Sequence, residues 1–87
     1  KHKLVRPRLE MAGQADLMQL RPPIVVVLRI YTNAEGNVEK VDIVKSSGSI
    51  NIDQPTRLAA YRWWFEPPVD SSGKPMPDVF EFLCRFI

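Results

Sequence analysis

Histidine, cysteine and closely paired carboxylates most often carry protein chemistry, and this chain is poor in all three. His2 is its sole histidine and lies in a basic lead-in where no positioned partner is expected. A general base or nucleophile needs such a partner within hydrogen-bond reach. Cys84 is the sole cysteine and falls in phase with Phe80, Phe82 and Phe86. Burial among those rings is expected to raise its pKa and make it inert. A single cysteine also excludes an intrachain disulfide and a cysteine-clustered zinc site. The four glycines are scattered singly, so no loop cradles phosphate. The carboxylates are spread too widely to suggest a catalytic pair or metal cluster. These residues predict a non-enzymatic domain with no cofactor.

Two features could bind rather than catalyse. Tyr61-Arg62-Trp63-Trp64-Phe65 sets aromatics beside an arginine, which can stack bases or a partner's side chains. Alternatively Trp63 and Phe65 close a thin core, and that assignment is preferred because large aromatics dominate burial in small domains. Trp64 stays open between core and surface. The second feature is Val79–Ile87, a long strand without internal proline. Its alternation puts Phe80, Phe82, Cys84 and Phe86 on one face and Glu81, Leu83 and Arg85 on the other. At a sheet edge it would suit β-augmentation, with main-chain bonds supplying affinity and side-chain pockets supplying register. Periodicity alone does not say whether the strand is central or at an edge.

The elements that must hold these features read as follows. Leu9–Leu20 has Met11, Ala15 and Met18 at helical spacing, weakened by Gly13 and ended by Pro22-Pro23. Ile24–Thr32 is β-branched strand vocabulary, with Ile24, Val26, Leu28 and Ile30 sharing a face. Asn33–Asn37 is a hairpin loop with Gly36 available for positive φ. Val38–Ser46 returns antiparallel, with Val41 and Ile43 among charged residues. After Ser47-Gly48-Ser49, Asp53 is an N-cap candidate and Pro55 falls in a first helical turn. Thr56, Ala59, Ala60 and Trp63 then form one small apolar face ending in a ring. Pro67-Pro68 stops that helix, and Asp70–Pro77 is a loop. The order α-β-β-α-β predicts an α+β domain: a three-stranded antiparallel sheet with two helices packed on one face.

Eighty-seven residues fit one small domain, which buries only ~60–65% of the surface its unfolded chain exposes. Hydrophobic residues are 45% and charged ones 25%, an ordinary globular balance. The longest apolar run, Ile24–Leu28, is far short of the ~20 residues of a membrane span, and no stretch reads as a secretory signal. The net charge of +2 conceals an asymmetry. Lys1, Lys3, Arg6 and Arg8 give +4, leaving eight basic residues against ten acidic ones. Such an arm can touch nucleic acid, a membrane surface or an acidic partner. Residues 1–8 are read as a solvated basic linker remnant, with 9–87 as the domain.

Several segments together resemble the C-terminal domain of the TonB energy transducers. They are Asn33-Ala34-Glu35-Gly36-Asn37-Val38, then Val41-Asp42-Ile43-Val44-Lys45-Ser46-Ser47-Gly48, and Trp63-Trp64-Phe65-Glu66-Pro67 with Asp53 ten residues before the first tryptophan. Gly73-Lys74-Pro75 and the closing aromatic strand also match, so the resemblance runs from Ile24 to Ile87. The first third departs: Gly13-Gln14 stands where the family has Tyr-Pro, and Ile24 where it has a glycine leading into the first strand.

The resemblance implies a periplasmic domain of a larger Gram-negative protein, anchored in the inner membrane by an N-terminal helix and joined to it by a proline-rich linker. It implies a partner, the TonB box of TonB-dependent outer-membrane receptors, added as a strand beside the final strand. Carried across, the partner-binding residues are Val79, Phe80, Glu81, Phe82, Leu83, Cys84, Arg85 and Phe86. It further implies that an inner-membrane proton-channel complex pulls on the anchor to drive uptake of siderophore or cobalamin-type compounds. A homodimer by edge-strand pairing is a further expectation. Two rivals are a TolA-like envelope transducer, disfavoured because those domains usually carry a disulfide, and a small nucleic-acid-binding module using the arm and Tyr61–Phe65.

Overall fold

The computed structural model describes residues 1–87. The β-branched run after Pro23 forms the central strand β2 (Val25–Thr32), flanked by β3 (Val38–Lys45) and β5 (Asp78–Arg85). All pairings are antiparallel in the order β3-β2-β5. Helices α1 (Met11–Gln19) and α2 (Ile50–Ala60) complete the expected α+β architecture. Side chains alternate across a strand, and β2 uses this fully: Val26, Leu28 and Ile30, with Ile24 just before them, are buried toward the helices. Val41 joins from β3. Thr56, Ala59 and Ala60 of α2 and the following Trp63 form the buried small-residue face that the spacing predicts. The β2–β3 turn has Gly36 at φ +87°, where a Cβ would overlap the Phe65 carbonyl.

Four expectations are corrected. First, Ser49, not Asp53, caps α2: its hydroxyl accepts the Asn51 N–H at 3.1 Å. Asp53 is buried one turn inside, where its carboxylate accepts from the Ser46 hydroxyl, the Ser47 N–H (2.9 Å) and the Ser47 hydroxyl (2.7 Å). A buried carboxylate needs such donors, and Ser46-Ser47 supplies them. Second, Pro55 therefore lies inside the helix. A proline there has no N–H to offer the carbonyl one turn back, and Gly13 of α1 approaches that Asn51 carbonyl so closely that a Cβ would stand 2.5 Å away.

Third, α1 faces the other way. Met11 and Met18 are 86% and 88% exposed, while Gly13 is buried and Leu17 and Leu20 pack against the core. The glycine contact and two hydrogen bonds accepted by Asp16, from the Ser49 hydroxyl and the Asn51 amide, set this orientation. Fourth, His2 is not unpositioned, because the exposed basic arm that carries it is held against the domain. Its strand β1 (His2–Lys3) pairs with β4 (Trp64–Phe65), and Trp63 Nε1 donates to the Val5 carbonyl at 2.7 Å. Strands of two residues leave no periodic trace in a sequence.

Candidate functional site

β5 is an edge strand, paired through eight consecutive residues with β2 and with nothing on its other side. Its inward side chains hold it in the core. Phe80 meets Phe65 edge to face with ring centroids 4.8 Å apart, and Phe82 lies 5.1 Å from Trp63. Cys84 is half-buried between Phe82 and Phe86, and burial pushes its thiol up to about 11. The opposite side chains, Val79, Glu81, Leu83 and Arg85, are exposed on the sheet face that no helix covers. There Glu81 accepts a hydrogen bond from Arg29 Nη2 at 3.1 Å.

The backbone alternates with the side chains. Phe86 N–H donates to the Ile24 carbonyl at 2.8 Å, so in antiparallel register the even-numbered residues turn their polar groups toward β2. Val79, Glu81, Leu83 and Arg85 turn theirs outward. The Asp78 side chain accepts the Val79 N–H at 2.8 Å. Glu81, Leu83 and Arg85 remain as a row of unpaired donors and acceptors, spaced ~7 Å apart as a strand dictates. Beside this row, between the arm at Leu4–Pro7 and the inward side chains of β5, runs a groove of about 250 Å³ floored by Trp63. The arm makes its own backbone bonds to β4 and none to β5.

The edge of β3 is arranged differently. Val41 is fully buried and turns its backbone away from β2. Its N–H donates to the Tyr61 hydroxyl at 3.3 Å, and its carbonyl accepts from Arg57 Nε at 2.9 Å. Arg57 Nη2 also reaches the Tyr61 hydroxyl, at 3.3 Å. Sequence reasoning missed these two residues. Their i,i+4 spacing beside the small-residue face of α2 was the available signal.

All eight residues of the anticipated site thus share one edge strand and its immediate continuation. The aromatic cluster is otherwise engaged. Trp63 is buried, Trp64 Nε1 donates to the Glu35 carbonyl at 2.8 Å, and Phe65 packs on Phe80 and Phe82. No group of three or more histidine, cysteine, aspartate or glutamate side chains is placed to hold a metal ion.

No curated protein matches the chain. A family model, that of the Gram-negative bacterial TonB protein C-terminal, matches residues 24–86. The match starts at Ile24, the buried residue just before β2, runs through β2, β3, α2 and β4, and ends just beyond β5. The arm and α1 lie outside it, in the part of the sequence that departs from the family pattern. With nearly three-quarters of its length matched, the chain belongs to the TonB C-terminal domain family of energy transducers.

Proposed function

We propose that this domain works in the periplasm as the receptor-binding end of a TonB-type transducer, taking the TonB box of an outer-membrane receptor as an added strand on β5. The observation that carries this proposal is the unpaired backbone row at Glu81, Leu83 and Arg85, beside an apolar groove, on an edge with no cap beyond Val79. Main-chain hydrogen bonds to that row supply affinity, and the groove receives alternate side chains of the peptide. A force arriving through an inner-membrane anchor then loads several backbone bonds together in shear. That arrangement suits the coupling of proton-motive force to uptake of siderophore or cobalamin-type compounds, because no single side chain bears the pull.

The same edge also fits a second copy of the chain. In the antiparallel register that sets Leu83 against its own symmetry mate, Glu81 faces Arg85 of the second copy, a self-complementary pattern. Self-pairing and peptide binding are then mutually exclusive, and dilution favours the peptide.

Calorimetric titration with a TonB-box peptide tests the proposal. Leu83→Pro removes an outward N–H without touching the β2 ladder, and weakens binding by ~10-fold or more, the value of one backbone hydrogen bond. Leu83→Ala weakens it by less than ~3-fold. Equal losses from both variants would rule out strand addition as the main source of affinity.

A further inference from the structure

The arm and α2 enclose a second surface, on the other side of the arm from the β5 groove. A cleft of about 310 Å³ lies between them, and Arg6, Arg8 and Arg62 line it with a single carboxylate, Glu10. None of the three guanidinium groups has an ion-pair or hydrogen-bond partner. The ion pairs of the chain are Lys1–Glu66, Arg29–Glu81 and Lys40–Asp42. The backbone that carries Arg6 is also held in place. β1 pairs with β4 on one side of Arg6, and the Val5 carbonyl accepts from Trp63 immediately before it.

An apolar ridge adjoins the cleft. Leu58 lines it and is 59% exposed. Leu58 also lines the neighbouring depression between α1 and α2, together with Ile50, which is 70% exposed. Met11, 86% exposed, follows Glu10 at the start of α1. Three unpaired arginines beside protruding leucine, isoleucine and methionine form the two-part pattern of an interfacial surface. Guanidinium groups fit lipid phosphates, and the apolar tips fit the boundary with the acyl chains.

From this juxtaposition we infer that the face formed by the arm and α2 docks on an anionic phospholipid bilayer. A nucleic acid is disfavoured because the rings it would stack on are engaged within the fold: Trp63 is buried and Phe65 packs on Phe80. An acidic peptide would need a continuous groove or an open edge, whereas here apolar side chains stand out from the surface. Val5 and Arg6 border both surfaces, but Arg8 and Arg62 line the α2 side of the arm and not the groove beside β5, so these two residues separate membrane docking from strand addition.

Co-sedimentation of the whole chain with vesicles tests the inference. Binding to phosphatidylglycerol mixed with phosphatidylcholine is expected, with none to phosphatidylcholine alone, and added salt should weaken it. Each arginine near an anionic surface is worth about fivefold, so Arg8→Ala with Arg62→Ala should lower partitioning by roughly 25-fold. Both side chains are exposed, so the amide spectrum and the affinity for TonB-box peptide should be unchanged. Leu58→Ser should weaken binding as well, which attraction of counter-ions alone would not produce. Equal binding to both vesicle types, no binding to either, or full binding by the double variant would overturn the inference. So would a Leu58→Ser variant that binds undiminished while inorganic phosphate competes, because the cleft would then be a free-anion site.

Discussion

The two edges of one small sheet have opposite fates. On β3, the buried Val41 turns a donor and an acceptor outward, and Tyr61, at the C-cap of α2, and Arg57 of α2 close both. Register shifts interrupt the β2–β3 ladder at two points, and Glu39, Lys40 and Lys45 stand exposed along it. On β5 the ladder is unbroken, its outward backbone row has no cap beyond Val79, and Leu83 is exposed at its centre. Natural sheets blunt their edges with caps, charges and bulges. Here those devices are concentrated on one edge. The helix α2 lies over β3 and β2 and can reach only the first of the two edges.

The contrast is broken most severely by uncapping β3. Arg57→Ala combined with Tyr61→Phe leaves the Val41 N–H and C=O buried without partners, at ~1–3 kcal/mol each. Urea unfolding should show a loss of ~2–6 kcal/mol, a large part of the ~5–15 kcal/mol available to a small domain. A loss below ~1 kcal/mol would mean that these side chains do not close the edge.

Next in size is Gly36→Ala. In the β2–β3 turn it adds a Cβ at φ +87° against the Phe65 carbonyl, disturbing β4, whose Phe65 ring supports β5 through Phe80. An unfolding free energy lower by ~1–3 kcal/mol is expected from the strained backbone. Unchanged stability would detach that turn from the support of the open edge.

How much of this was legible follows the physics of each signal. Strong periodicity was read correctly: the buried face of β2, the small face of α2 and the alternation in β5 all follow from side-chain geometry. α1 was read facing the wrong way because glycine and a hydrogen-bonded aspartate make its contact, and hydrophobic spacing does not register either. Asp53 was placed at the helix start because a capping carboxylate and a buried one look alike in sequence; only the Ser46-Ser47 donors distinguish them. The β5 edge was open on periodicity alone, since alternation fixes faces and not neighbours. The caps on β3 were missed because Arg57 and Tyr61 act on a strand sixteen to twenty residues earlier.

Smaller effects sharpen the contrast. Glu81→Lys leaves the backbone row intact and removes only the exposed pair with Arg29. An exposed pair contributes ~0–1 kcal/mol, so stability should change little, and peptide affinity should move by less than ~5-fold. Smallest is the behaviour of Cys84. With its thiol raised to about 11 by burial, alkylation near neutral pH should be slow and should quicken as pH rises toward 11. The sign for stability is the reverse: the unfolded thiol ionises near 9.0 and the folded one only near 11, so this residue weakens the fold as pH rises above 9. Rapid alkylation at neutral pH would show the groove side of β5 to be looser than its packing indicates.

The most direct test of the difference between the edges is an amide-resolved NMR titration of the labelled domain with a TonB-box peptide, followed by hydrogen exchange of the complex. The account predicts shifts centred on Glu81, Leu83 and Arg85, with those three amides newly protected, while the Val41 amide keeps its shift and its exchange rate. Shifts centred on β3, or binding that leaves the β5 amides exchanging as in the free domain, would contradict it.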